Sequence, residues 1–310
     1  MDRCGEWPCT GEPQRVEGAP VLRTVGGGTT FTYGLYLAGA AYCWGRGKSL
    51  DGIVPSDAIP RKVAGDLTFE QLSMQAIADA TCGIATDTIL YCWGWGGWAL
   101  PWIASEEPVA FETDLEFASV TIAQNHMCAL TAAGSAYCWG SNWSGQLGIG
   151  WYGSAGGNAV VATPQLVLGG HAFTQLVASA MFTCGLTALG DVYCWGSIVA
   201  DLSSNVPQRV VAVPAFAELY AGSGHLCGLT AAGEAYCWGE NYLGALGDGT
   251  REHNSAPVAV LGGHRFAELT AASGHTCGLT TDGRAYCWGG NAHGQIGRPG
   301  FEAPPGMGWW

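Results

Sequence analysis

Hydrophobic and polar positions alternate along this chain in short runs, and no segment holds the spacing of an amphipathic helix. The alternation is clearest in "FAELYAGSG" from 216 and "FAELTAASG" from 266, where Phe and Leu three apart lead into small residues. Each such run precedes a pair of apolar runs joined by a tight turn. A Gly-rich loop follows, then a Pro-led apolar run such as "APVAVL" at 256–261. Four short strands and no helix are therefore predicted for each unit.

The paired runs repeat. They read "TYGLYLAGAAYCWG" from 32, "TCGIATDTILYCWG" from 81, "MCALTAAGSAYCWG" from 127, "TCGLTALGDVYCWG" from 183, "LCGLTAAGEAYCWG" from 226 and "TCGLTTDGRAYCWG" from 276. A period of about 50 residues with four strands is the pattern of a propeller blade, a sheet that buries both faces only by stacking on its neighbours. The six copies predict an all-β chain forming a single β-propeller of four-stranded blades, with a seven-bladed ring as the alternative. The predicted boundaries are an N-terminal extension over 1–12, the propeller over 13–297 and a tail over 298–310. The chain enters mid-repeat at "EPQRVEG", 12–18, and leaves after the loop "GNAHGQIG", 290–297, so joining its N- and C-terminal segments would close the ring.

Ten of the thirteen cysteines fall ten positions apart: Cys82 with Cys92, Cys128 with Cys138, Cys184 with Cys194, Cys227 with Cys237 and Cys277 with Cys287. In the last pair the midpoint is Asp282, which leaves a three-residue loop, Thr281-Asp282-Gly283, with Gly283 where a left-handed residue is needed. Cysteines opposed in such a hairpin lie roughly 4.5–5.5 Å apart at Cα, within disulfide reach. Each bridge would contribute about 2–3 kcal/mol at most, because the loop it closes is short. Zinc sites pair cysteines about two to four residues apart, which does not match. Disulfides are the favoured reading, with core thiols as the rival. Tyr33 stands where the first copy would have its cysteine, leaving Cys43 without its repeat partner, and Cys4 and Cys9 remain to pair with each other. Disulfides imply an extracellular or periplasmic setting, although the opening "MDRCGEWPCTGEPQ" has no signal-peptide pattern.

Composition narrows the partner. A net charge of −13 disfavours nucleic acid and anionic membranes. No apolar run is long enough to predict membrane insertion.

The unit H-x-C-x-L-T-x-x-G-x-x-Y-C-W-G-x-N-x-x-G-x-L-G, complete in "HLCGLTAAGEAYCWGENYLGALGDGT" at 225–250, resembles the repeat of the regulator of chromosome condensation family over 13–297. In its cysteine-paired blades the chain is most similar in style to secreted bacterial members. The resemblance implies the propeller and leaves function wide, since the family includes a nucleotide exchange factor, a plant ultraviolet photoreceptor and a secreted β-lactamase inhibitor. The photoreceptor's Gly-Trp-Arg-His-Thr motif is absent; the matching positions read "GSGHL" and "ASGHT". A nuclear, chromatin-bound exchange role fits poorly with an acidic chain and paired cysteines.

His126, His225 and His275 recur two residues before a cysteine. They either face a common axis and bind a metal or, as favoured here, hydrogen-bond locally to backbone; His171 and His264 read as turn residues. The chain has no zinc-protease, nucleophile-elbow or phosphate-loop motif. The expectation is no enzyme, no catalytic residue, no metal and no cofactor. Repeat tryptophans 44, 93, 139, 195, 238 and 288 read as core.

Function is sought where the repeat breaks. "WGWGGWALPW" carries Trp95, Trp98 and Trp102, and "SNWSGQLGIGWYG" carries Trp143, Trp151 and Tyr152, in corresponding loops of blades two and three. Such aromatics suit a protein interface; the alternative is that the loops bury them. Glu106, Glu107, Glu112, Asp114 and Glu116 would form an acidic rim. Trp309 and Trp310 end the tail and are candidates for self-assembly. Asn142-Trp143-Ser144 is a formal glycosylation sequon, although Asn is the expected repeat residue there. The predicted function is a non-catalytic, secreted module that binds another protein through these aromatic loops. The alternatives are a structural subunit assembling through its tail and a lectin or enzyme using the central cavity.

Overall fold

The computed structural model describes residues 3–4, 7–8, 16, 21–27, 31–45, 57–63, 65–74, 80–97, 100–153, 160–199, 203–211, 214–292 and 294–297. Their regular structure consists of β-strands. Six antiparallel meanders follow one another, the element pattern of a six-bladed β-propeller. Blade one comprises Leu22–Gly27, Phe31–Tyr36, Ala41–Gly45 and Asp57–Lys62; blade two, Phe69–Met74, Ala80–Ala85, Leu90–Trp95 and Ala104–Ala110. Blade three comprises Ser119–Ile122, His126–Leu130, Ala136–Ser141 and Val160–Leu166; blade four, Phe173–Ala178, Phe182–Thr187, Val192–Ser197 and Ser203–Arg209. Blade five comprises Phe216–Ala221, His225–Thr230, Ala235–Gly239 and Asn254–Ala259. Blade six shows three strands among the described residues, Phe266–Ala271, His275–Thr280 and Ala285–Gly289. A two-stranded pair, Arg3–Cys4 with Trp7–Pro8, lies near the start. The chain forms two compact units, Arg15–Val210 and Val211–Trp310 with Met1–Gln14. Most of 12–18, and all of 298–310, lie outside the described residues, as does Cys9.

Each paired-cysteine hairpin has the register that its spacing predicts. Cys277 faces Cys287, and the other four pairs do the same. All five are disulfides, with Cα atoms 4.1 Å apart, slightly closer than expected. Tyr33 faces Cys43 in blade one. Gly283 has φ +82°, the left-handed conformation that the turn needs. The Gly of each Cys-Trp-Gly motif also has positive φ, and in blades one to five the third and fourth strands lose register there through a bulge. At Gly140 a Cβ would lie 2.6 Å from the His126 Cα, so this position needs glycine for close approach as well as for its φ of +112°.

The core lies between successive sheets. Trp93 packs with Leu35, Ala41 and Val63 of the preceding blade, Trp139 with Ile84 and Leu90, and Trp195 with Leu130 and Leu147. Trp288 does the same against Leu229 and Leu246. Trp139, Trp195 and Trp238 are fully buried, while Trp44 and Trp288 are half-buried. Side chains join blade two to blade three along their first strands: Gln71 Nε2 donates to the Val120 carbonyl at 2.9 Å, its Oε1 accepts from the Val120 amide at 2.8 Å, and Ser73 Oγ accepts from the Ile122 amide at 3.0 Å. Both partner numbers rise together, so these strands run in the same direction and corresponding loops emerge at the same end.

Each of the five fourth strands among the described residues, a sheet edge, carries a proline: Pro60, Pro108, Pro164, Pro207 and Pro257. Proline blunts such an edge against pairing with another chain.

Candidate interaction surface

Loops between third and fourth strands emerge beside those between first and second strands. The Ser141 amide donates to the Asn125 carbonyl at 2.7 Å, and the Ser197 amide to the Met181 carbonyl at 2.8 Å. Blade three's loop is built on Asn142. This side chain is fully buried; its Oδ1 accepts from the Leu147 amide at 3.0 Å, and its Nδ2 donates to the Trp151 carbonyl at 2.6 Å. Asn142 is therefore committed to the loop's interior, and the sequon offers no accessible amide in the folded chain. Asn241 and Asn291 repeat the contact, accepting from the Leu246 and Ile296 amides at 3.0 and 3.2 Å.

With the loop base fixed inward, its aromatics are left outside. Trp143 is 54% exposed, Trp151 45% and Tyr152 48%. Trp95, at the end of the third strand of blade two, is 41% exposed. Trp102 behaves differently: it is half-buried against the core of Ile84, Leu100 and Phe117, and props the loop from beneath. Trp98, Trp309 and Trp310 lie outside the described residues.

Two further groups belong to this class of surface and were not singled out in the sequence. Met181, between the first two strands of blade four, is 49% exposed at the same end of its unit. In the other unit, Tyr242 is 68% exposed and Leu243 55%. Tyr242 stands directly after the loop Asn, the position of Trp143, and that alignment was the signal available. All five exposed large aromatics among the described residues, Trp95, Trp143, Trp151, Tyr152 and Tyr242, therefore lie in or beside loops of one kind.

The expected acidic rim divides. Glu106 and Glu107 lie on the fourth strand of blade two, which begins opposite Trp95. Glu112, Asp114 and Glu116 follow the other end of that strand, on the connection to blade three, and are not beside the aromatics. An antiparallel strand carries its two ends to opposite faces, so one charge run in sequence becomes two in space.

The repeated histidines reach farther than expected. His126 Nε2 meets Thr183 Oγ1 of the next blade at 2.7 Å, and Thr183 donates onward to the Gln146 carbonyl at 2.9 Å. His225 Nε2 meets Thr276 Oγ1 at 2.8 Å, and Thr276 donates to the Ala245 carbonyl at 3.0 Å. Because each threonine hydroxyl is spent on a carbonyl, it accepts from the imidazole, which assigns the proton to Nε2. Burial pushes His126 down to about 3; His225 falls to about 4 through burial and then the nearby His275. These are neutral rings that connect blades. Among the described residues no group of three or more His, Cys, Asp or Glu could hold a metal. His171 and His264 stack on Tyr193 and Tyr286 at 3.9 Å.

A cavity of about 210 Å³ lies between the first strands of blades two, three and four. Gln71, Ser73, Thr121, Thr174 and Gln175 line it, and its only ionisable type is Cys128, held in a disulfide. These neutral groups provide no general acid or base.

The regulator of chromosome condensation (RCC1) repeat matches residues 118–146, 216–245 and 270–295, and a second description of that repeat matches 232–279. The chain is 28% identical over 176 residues to the ultraviolet-B receptor UVR8 of Arabidopsis thaliana, a match spanning 52% of this chain and 38% of the receptor. In fold it is similar to human WBSCR16, with a TM-score of 0.77 at 20% identity over 92% of this chain and 81% of that one. It is also similar to Prp20p of Saccharomyces cerevisiae, with a TM-score of 0.70 at 19% identity over 81% of this chain and 67% of that one.

Proposed function

We propose that this chain, which carries regulator of chromosome condensation repeats, is a non-catalytic module that binds a protein partner through the aromatic loops of blades two and three. The observation that carries the reading is the outward set of Trp95, Trp143, Trp151 and Tyr152 above a buried Asn142. Half-exposed large aromatics on a rigid base bury much area at little entropic cost, which is the chemistry of an interface hot spot. Prp20p, similar in fold, is described by its binding to Gsp1p and histones. That supports protein binding as the class of activity and leaves this chain's own partner to its loops.

The setting we assign is extracellular or periplasmic, supported by five disulfides. Replacing Trp95, Trp143 and Trp151 together with alanine should abolish capture of the partner from the native extracellular fraction without changing the melting curve. Capture that survives the triple change would move the binding face elsewhere. Alkylation of the unreduced protein should modify at most the three cysteines outside the pairs, and modification of ten or more would remove the argument for an oxidising compartment.

Blade six suggests a role for the chain's opening stretch. In blades one to five the residue after the edge proline pairs with the Cys position of the third strand, as in Gln208 with Cys194 and Val258 with Cys237. Pro13-Gln14 offers the same proline-led pattern in the sequence, and we propose that the N-terminal segment closes the ring by pairing with the third strand of blade six. Deleting residues 1–14 should then speed amide exchange over Ala285–Gly289; unchanged exchange would reject the pairing.

A further inference from the structure

Between Glu116 and Asp191 the chain contains no Asp, Glu, Lys or Arg, although it carries 37 such residues in all, from 12 Lys and Arg with 25 Asp and Glu. This run covers all of blade three and the first two strands of blade four. It holds Trp143, Trp151, Tyr152 and Met181, each about half-exposed at one end of the Arg15–Val210 unit. Its polar groups at that end are amides and hydroxyls, such as Asn125, whose Nδ2 reaches the Ala180 carbonyl at 3.5 Å. Glu106 and Glu107 mark the margin beside Trp95. Asp191 ends the run at the opposite end of its blade, in an ion pair with Arg209 at 2.6 Å.

Resting on the reading of these loops as a protein-binding face, we propose that the partner is a second copy of this chain, docked face to face through the uncharged surface of blade three and the adjoining turn between the first two strands of blade four. The argument is electrostatic. Two copies of net charge −13 repel wherever their acidic surfaces approach. In a twofold contact the same patch meets itself, so a charge near the axis meets its own kind. A surface for an oppositely charged partner would keep acidic groups at its centre to complement that partner. A surface for its own copy must lose them, and residues 117–190 have none, Asp201 on the other loop of blade four falling outside that run. Four half-exposed large side chains supply roughly half of the ~800 Å² per partner in a standard interface, with neutral loop backbone around them. The pairing is therefore reversible and concentration-dependent.

Sedimentation equilibrium of the full chain tests this directly. A monomer–dimer equilibrium is expected, and raising salt from about 0.05 to about 0.5 M should tighten it several-fold, because screening removes repulsion and no ion pair is lost. Trp143→Glu and Trp151→Glu should each weaken dimerisation by about tenfold or more with an unchanged melting curve. Tyr242→Glu, on the corresponding loop of the other unit, should leave it unaltered. Should either tryptophan variant unfold, Ser144→Glu introduces the charge without removing a ring and must weaken the dimer likewise. A monomer at all salt concentrations, a dimer weakened by salt, or one indifferent to charge at 143, 144 and 151 overturns the proposal. If the chain is monomeric and Trp143→Glu abolishes capture of a different protein, only the identity of the partner fails. If that substitution also leaves capture intact, the binding face itself fails. Trp143-dependent retention of cellohexaose by a monomer would assign the face to a neutral glycan and likewise overturn it.

Discussion

The loops at 142–153 and 241–253 share one internal scaffold and present opposite surfaces. In each, a fully buried Asn accepts from the amide five residues on, and the Leu bearing that amide is buried. Above that base, the first loop exposes Trp143, Trp151 and Tyr152 and carries no charge. The second exposes Tyr242 against His253, ring to ring at 3.9 Å, and carries Asp248, Arg251 and Glu252 along the same loop. Asp248 is itself tied to Asn241 Nδ2 at 3.2 Å and to the Thr250 amide at 3.0 Å. The difference separates what a repeat loop needs to fold from what it is free to display.

Acid should act on both loops at once and most strongly. His126 and His225 have depressed values, so they remain neutral in the fold while the unfolded chain binds protons below about pH 6.5. Stability is therefore complete above that pH and is lost as pH falls toward 4. Each buried ring costs up to about 1.4 kcal/mol per pH unit, or roughly 3 kcal/mol for the pair between pH 6.5 and 5. Denaturant midpoints at pH 7 and 5 measure this, and His126→Gln should flatten the slope. A midpoint independent of pH would contradict the neutral His–Thr links.

The shared scaffold is broken next. Asn142→Ala and Asn241→Ala should each cost about 2–3 kcal/mol in chemical denaturation, because each leaves a buried Leu amide without its acceptor. Asn241→Ala should be the costlier, since its Nδ2 serves the Asp248 carboxylate at 3.2 Å as well as the Glu252 carbonyl at 3.1 Å, whereas Asn142 Nδ2 serves the Trp151 carbonyl. Equal costs would mean that the charged loop gains nothing from its extra bonds.

The displayed groups come last in stability and first in function. Trp143→Ala and Tyr242→Ala should each change stability by less than about 0.5 kcal/mol, as exposed residues do. Only the first should alter partner binding. A large stability loss at Trp143 would make it a core residue of its loop.

The hairpins were legible in the sequence because everything they need is local: Gly283 for the turn, cysteines at matched distance, a glycine after tryptophan for the bulge. The outward aromatics were legible as departures from the repeat. Trp102 misled because the pattern that marks an irregular residue does not say which way it turns. The histidines were misread as local because the partner of His126, Thr183, stands 57 residues away. The division of the acidic run was hidden by strand direction. The uncharged stretch lay in plain view, but its signal is the residues that are missing, and motif reading counts those that are present.

Each disulfide joins two strands of a single hairpin and encloses only its turn. A protease that cuts such a turn, for instance beside the 81% exposed Leu189, severs the backbone but not the molecule. The two pieces stay linked through Cys184 and Cys194 until a reductant arrives. Five of the six blades can thus be nicked at their most accessible tip and still hold together as one covalent chain.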